Sequence, residues 1–179
     1  MTFTIEVNNT EVLAAFNRLI QTGQDMSPIL RSLGEDITLR AKQRFETSTA
    51  PDGTPWAPNS DTVLRALLHG NANNFTKKGA VSARGGRALA GKKPLIGDSK
   101  DLSTQIFPSV SGDTLTVTAS PVYAAMQQFG GTKAEFPNLW GDIPARPFLP
   151  VTAAGELYPD EEREILDVLG KALENAVKG

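Results

Sequence analysis

The chain has 179 residues, a net charge of −2 and a hydrophobic fraction of 40%, values typical of one globular domain with its own core. Because it contains no cysteine, disulfides, zinc–thiolate centres and thiol catalysis are excluded. The nearly neutral charge gives no overall attraction to nucleic acid or to an anionic membrane. The first residues do not resemble a signal peptide, and no apolar run approaches the roughly 18 residues of a membrane helix. We therefore expect a single domain over residues 1–179.

The start of the chain predicts a strand followed by two helices. Alternating apolar residues indicate a short strand over residues 3–7, with one buried face. Residues 8–10 offer cap oxygens for a first helix, which Gly23 ends. A second helix is predicted over residues 27–47, with Ser27 as its N-cap.

The second helix is predicted to have one apolar and one charged face. Its apolar stripe consists of Ile29, Leu30, Leu33, Ile37, Ala41 and Phe45. Its solvated face is expected to consist of Arg31, Glu35, Asp36, Arg40, Lys42 and Arg44.

The next segment is predicted to be irregular. Residues 49–58 read T-A-P-D-G-T-P-W-A-P, and three prolines with an Asp-Gly pair exclude regular structure. We expect Trp56 to anchor this loop to the core. Residues 62–69 predict one or two helical turns. His69 is interpreted as a solvated side chain, because a general base needs a rigid setting and this histidine borders a flexible stretch.

Residues 70–100 differ from the rest in composition. Glycine is frequent, large apolar side chains are sparse, and seven cations face one acid, Asp98. We expect a long, mobile basic loop inserted in the domain. Three interpretations stay open: a solvated charged segment, docking on a partner protein, or a DNA-binding module that uses residues 77–93. Stacking on single-stranded bases is disfavoured, since Phe75 is the one aromatic residue nearby.

The second half predicts a hairpin, a short helix, an extended stretch and a final helix. The hairpin covers residues 106–119 with its turn at 111–113. A short helix over residues 121–130 ends in a glycine C-cap. Residues 143–151 are expected to be a further strand, and the last helix begins at about Pro159. The resulting order, β-α-α-loop-β-β-α-β-α, predicts an α+β fold in which a small antiparallel sheet packs against helices.

Signals for other chemistry are weak. The acidic run at 160–162 complements a helix dipole better than it binds a metal ion. The glycine pairs at 85–86 and 130–131 do not fit phosphate-binding patterns. We therefore predict no catalytic, metal-binding or cofactor-binding residue, and no cofactor.

Arg146 stands in an unusually stiff setting. Pro144 and Pro147 each fix their own φ and push the preceding residue toward extended geometry. Arg146 is thus expected to make a fixed pairing, since its planar fork suits bidentate bonds. Its partner stays open: a carboxylate in the same subunit, loop carbonyls, or a neighbouring subunit.

Four sequence blocks support a resemblance to a known family. They are R-F-E at 44–46, P-D-G-T-P-W-A-P at 51–58, V-Y-A-A-M-Q-Q-F-G-G at 122–131 and I-P-A-R-P-F-L at 143–149. In this order they resemble the motifs of the phage virion morphogenesis family, the tail completion proteins of contractile-tailed, Mu-like phages. We call them the motif blocks. One position departs from the family pattern, because Gln127 stands where the family has a histidine.

The resemblance implies a structural role without catalytic residues. Family members resemble small tail-terminator and neck-protein folds and are expected to assemble as rings, with six copies to match the tail. The implied partners are other copies of the chain and neck, connector and tail-tube proteins, with no membrane. Contact with packaged DNA is an expectation from the basic stretch alone, if it faces the lumen of a ring. The implied location is the head–tail junction of the virion, after assembly in the host cytoplasm.

From these considerations we assign two groups of residues. The candidates for subunit or partner interfaces are Arg146, Pro147, Gln128, Lys77, Lys78, Arg84, Arg87, Lys92 and Lys93. The candidate structural anchors are Trp56, Tyr123, Phe129 and Phe148.

Overall fold

The structure is a computed structural model that describes residues 9–21, 25–97, 99–139 and 141–178. The strand predicted over residues 3–7 and the helix stop predicted at Gly23 lie outside these ranges. The described residues form seven α-helices, one 3₁₀ helix and a two-stranded antiparallel sheet, which confirms the α+β class. The α-helices are α1 Thr10–Gln21, α2 Ser27–Thr47, α3 Asp61–Leu68, α4 Ala83–Leu89, α5 Asp101–Thr104, α6 Ala124–Phe129 and α7 Pro159–Lys178; the strands are β1 Ile106–Ser111 and β2 Thr114–Ala119.

The first two helices begin with side-chain oxygens that accept backbone hydrogen bonds. Asn9 Oδ1 accepts from two amides of the first turn of α1, as predicted. At α2 the predicted cap is wrong by one residue. Met26 occupies the cap position, and Ser27 donates its own amide to Asp25 Oδ1 at 2.9 Å. Pro28 has no N–H that would need a partner in this first turn.

Helix α2 divides the core into two clusters. Its N-terminal half packs with α1 and α7 in a cluster formed by Leu19, Met26, Leu30, Leu33, Ile37, Ile165 and Leu169. Its C-terminal half packs with the hairpin and the following segments in a cluster formed by Ala41, Phe45, Ala50, Trp56, Leu102, Ile106, Ala119, Ala124, Phe148, Leu149 and Val151.

The hairpin lies directly against α2. Its register pairs Ile106 with Ala119 and Ser111 with Thr114, which leaves a two-residue turn and confirms the predicted hairpin. Gly34 of α2 is the point of closest approach. A Cβ added there would lie 2.7 Å from both Pro108 Cβ and Leu115 Cδ1, so the helix backbone touches the sheet.

The strand predicted over residues 143–151 does not form. The stretch makes two isolated bridges, Gly131 with Ile143 and Val151 with Leu157, but no ladder. Its three prolines have no N–H to donate, which disfavours a continuous ladder. The extended backbone is held by side chains instead.

The basic stretch also differs from its prediction, because part of it is folded. A 3₁₀ helix covers Ala72–Asn74, Phe75 forms a β-bridge with Val81, and α4 follows. The side chain of Ser82 caps α4 by accepting from Gly85 N at 3.2 Å. The expectation of an irregular loop is therefore wrong for these residues, whereas mobility of the stretch stays a prediction.

The remaining elements agree with their predictions. Helix α3 covers the predicted turns before His69, α6 ends at Gly130, and α7 begins at Pro159. His69 is exposed, with its ring centroid 5.7 Å from that of Phe75. Within the described ranges, no helix has the length and apolarity needed to cross a lipid bilayer.

Candidate functional site: the clamped segment

Residues 143–151, which we call the clamped segment, are held on one side by two long side chains. Trp56 Nε1 donates to the carbonyl of Pro147 at 2.9 Å. Arg44 Nη1 donates to the carbonyl of Phe148 at 2.8 Å. Arg44 is only 7% exposed, so its assignment to the solvated face of α2 is wrong. Its guanidinium is buried because it donates to Phe148 O and Glu161, which lie more than 100 positions away in sequence.

On the other side the segment is held by Gln128. Its Oε1 accepts from the amides of Phe148 and Leu149, both at 2.9 Å, and its Nε2 donates to Val151 O at 2.9 Å. These bonds satisfy backbone groups that a neighbouring strand would otherwise satisfy. Gln128 is 1% exposed, so its prediction as an interface side chain is wrong.

Arg146 makes its fixed pairing with loop carbonyls of the same subunit. Its Nε donates to Ala57 O at 2.8 Å and its Nη2 to Pro58 O at 2.9 Å. Its backbone amide donates to Gln127 O at 2.8 Å, and its Nη1 reaches Gln127 Oε1 at 3.4 Å. The residue is 7% exposed, and burial lowers the pKa of its guanidinium. Arg146 is thus not presented to a neighbour, which corrects its interface prediction; Pro147 beside it is half-buried.

An aromatic cluster lies under the clamped segment. The ring of Phe45 packs edge-on against Trp56, with centroids 5.3 Å apart, and tilted against Phe148, with centroids 5.2 Å apart. Trp56 and Phe148 are both buried in this cluster.

The other two predicted anchors lie nearer the surface. Phe129 is half-buried, while Tyr123 is 45% exposed and does not anchor the core. The reason is the orientation of α6, which buries Ala124 and Gln128 and leaves the preceding tyrosine outside.

The two glycines after α6 let the clamped segment approach closely. Gly130 has φ +73°, a conformation that favours glycine. A Cβ on Gly130 would lie 2.7 Å from Ala145 N and 2.8 Å from Ile143 O. Gly131 then exchanges two backbone hydrogen bonds with Ile143. The glycine pair is therefore a backbone contact site and not a phosphate loop.

A buried ion cluster ties Arg44 to the last helix. Glu161, which is 3% exposed, accepts from Arg44 Nη2 and, at 3.2 Å, from Arg40 Nε. Arg40 Nη2 lies 3.2 Å from the same carboxylate without a hydrogen bond. Burial lowers the pKa of Arg44, and Glu161 offsets part of that shift. The acidic first turn therefore does more than complement the helix dipole, because Glu161 is buried in an ion cluster, whereas Asp160 is exposed.

The predicted basic interface residues lie elsewhere and remain exposed. They are Lys77, Lys78, Arg84, Arg87, Lys92 and Lys93. Lys93 Nζ donates to the carbonyl of Glu46, which fixes the end of the basic stretch near the end of α2. In the described part of the chain, no group of three or more acidic or histidine side chains is arranged to hold a metal ion.

A model of the phage virion morphogenesis family matches residues 7–174. The chain belongs to this family. A curated relative, the Mu-like prophage FluMu G protein 2 of Haemophilus influenzae, is 28% identical over 164 residues, which cover 91% of this chain and 90% of the relative. No solved structure matches significantly. Family membership assigns the protein a structural or morphogenetic role in phage particles.

The structure explains the motifs of this family in the present chain. Each of the four motif blocks contributes to the clamp: Arg44 from the first, Trp56 from the second, Gln128 from the third and Phe148 from the fourth. The blocks thus specify one internal junction. Arg44 lies three residues after Ala41 at the edge of the apolar stripe, and that spacing was the available signal for its burial. No local signal marked Glu161.

Proposed function

We propose that this protein is a tail-completion subunit that joins the finished tail to the filled head and works as a ring. The observation that carries the proposal is the convergence of all four motif blocks on the clamped segment. Their polar groups are used in hydrogen bonds within the subunit, which suits a rigid building block. The relationship to a Mu-like prophage protein is consistent with this role in a contractile-tailed particle.

Large exposed apolar side chains support self-assembly. Exposed apolar side chains mark contacts with other protein surfaces where they form a contiguous patch. In the described residues the most exposed of them are Val122 at 74%, Leu39 at 55%, Phe107 at 53%, and Leu13, Leu67 and Phe136 at 47%. We propose that neighbouring subunits and tail proteins cover part of this surface, in a ring of six that matches the symmetry of the tail.

Deletion of the gene from its phage or prophage tests the proposal. We expect filled heads and separate tails, or tails of irregular length, in electron micrographs of the lysate. Supplying the intact protein from a plasmid should restore joined particles, and the gene carrying an early stop codon serves as the matched control. Normal numbers of infectious, joined particles after deletion would contradict the proposed function.

The ring is tested separately. Imaging of the neck in purified particles should show density for this fold at the tail end, in a closed ring with six copies. Quantitative mass spectrometry of the particles gives the copy number independently. A particle containing one or two copies, or none, would refute the ring while leaving family membership intact.

A further inference from the structure

Residues 72–93, which we call the basic unit, carry a charge that the proposed function does not use. The unit contains six Lys or Arg residues and no Asp or Glu. Because the whole chain has a net charge of −2, the residues outside the unit together carry −8. Positive charge is therefore concentrated on one folded piece of an otherwise acidic protein.

A tight turn presents the first two cations. Gly79 N donates to Thr76 O at 2.9 Å, so Lys77 and Lys78 are the two central residues of the turn. Thr76 N also donates to Ala80 O at 2.7 Å, which closes the base of the turn. Both lysines are exposed.

Helix α4 presents the next two cations. Arg84 and Arg87 are three residues apart and share one face of the helix. The opposite face is fixed by Gly85, which is buried; a Cβ there would lie 2.9 Å from Val81 Cγ1 and would also clash with Asn74 O. The arginines therefore point away from the subunit.

We call these four side chains the cation quartet. Their positive charges are not neutralised by an acidic side chain of the described residues. Within the described part of the chain, none of Lys77, Lys78, Arg84 and Arg87 forms an ion pair. The neighbours of the two arginines on α4 are Ala83, Gly86 and Ala88, which are small and exposed, so a large partner can approach closely. We propose that the cation quartet binds the phosphate backbone of duplex DNA without reading its sequence.

Two observations favour DNA over other partners. The unit lacks the exposed aromatic and large apolar anchors that protein interfaces use, apart from Val81, which is 36% exposed. Its one aromatic ring, Phe75, is partly buried and lies against His69, so it offers no platform for unstacked bases. Exposed cations on a turn and a short helix suit the regular array of charges on a duplex.

Fluorescence anisotropy with a labelled duplex of arbitrary sequence, measured over a range of KCl concentrations, tests the proposal. The variant combines Lys77→Gln, Lys78→Gln, Arg84→Gln and Arg87→Gln. Four lost phosphate contacts should reduce the slope of log K against log [salt] by about 3 to 4. The matched control combines Arg18→Gln, Arg31→Gln, Lys133→Gln and Lys171→Gln, which removes the same charge from other exposed positions and should keep the slope within about 1 of the wild type.

Two half-variants make the test independent of any folding defect. The Lys77/Lys78 pair and the Arg84/Arg87 pair, each changed to glutamine, should reduce the slope by about 2. Equal losses in the quartet and control variants would overturn the proposal, as would absence of binding by the wild type at low salt. Tighter binding to polyglutamate than to the duplex would also overturn it and indicate an acidic protein partner. These results do not depend on tail completion, which the gene deletion tests by itself.

Discussion

The clamped segment and the basic unit are both poor in regular strand structure and rich in proline or glycine, yet they treat arginine in opposite ways. Arg146 in the clamped segment donates to three acceptors and is almost fully buried. Arg84 in the basic unit is exposed and forms no ion pair with any described residue. The difference teaches that the acceptors within reach, and not the residue type, decide whether an arginine supports the fold or remains available to a partner.

The largest expected effect comes from removing the anion beneath the clamped segment. Glu161→Ala leaves Arg44 buried without its carboxylate, which should reduce the free energy of unfolding by about 3–5 kcal/mol. Urea denaturation measures the loss. Asp160→Ala is the matched control, because Asp160 lies one residue earlier and pairs with Arg163 at the surface; it should cost less than about 1 kcal/mol. Equal losses for the two variants would show that the buried cluster does not hold the clamp.

The second-largest effect is expected from removing the side-chain amide of Gln128, which bonds to the clamped segment where a neighbouring strand would otherwise do so. Gln128→Met keeps the length of the side chain but leaves two amides and one carbonyl buried without partners, at a cost of about 3 kcal/mol. Hydrogen exchange at Phe148 and Leu149 should accelerate in parallel. Gln127→Met, one residue away and half-buried, removes only the long 3.4 Å bond from Arg146 and is expected to cost less, about 1 kcal/mol. Slow exchange at both amides in the Gln128 variant would disprove the clamp.

A smaller effect is expected where the backbone of Gly130 contacts the clamped segment. Gly130→Ala introduces a Cβ at a positive φ and into contact with residues 143–145, which should cost about 1–3 kcal/mol. The control is Gly141→Ala, where the added Cβ meets open space; it should change stability by no more than about 0.5 kcal/mol. Thermal and urea unfolding of both variants decide the point, and a neutral Gly130 variant would contradict the close approach.

The smallest effect on stability should come from substitutions in the basic unit. The four glutamine substitutions in the cation quartet remove no described intramolecular bond, so each should change the unfolding free energy by less than about 0.5 kcal/mol. Circular dichroism during urea titration measures this. A loss of several kcal/mol would place the quartet among the residues that hold the fold together, and would remove the contrast with the clamped segment.

Local sequence patterns were sufficient for most helices and for the hairpin. Helix α2 has an uninterrupted apolar stripe, β2 alternates strictly, and α7 begins at a proline followed by acids, so each element is specified by residues within its own bounds. The same is true of Trp56, a single large aromatic residue in a polar loop. These signals act over a few residues and are visible without a structure.

The site was less predictable because its contacts connect distant positions. The local pattern predicts Arg44 on the solvated face of α2. It cannot reveal the acceptors that bury this side chain, Phe148 O and Glu161, because they are separated from it by 104 and 117 positions. Gln128 is predicted as an interface residue, whereas its hydrogen-bond partners in residues 148–151 lie 20 to 23 positions away and bury it. The missing strand at 143–151 was predicted from its extended residues, although its prolines already argued against a ladder.

The size of residue 34 couples helix α2 to the hairpin. With a hydrogen atom as its side chain, Gly34 sets the gap between α2 and the hairpin, and the ring of Pro108 cannot rotate out of the way. Any larger residue at position 34 would act as a wedge against Pro108 and Leu115. A methyl group at position 34 therefore fits only if the hairpin loses volume at position 108 or 115.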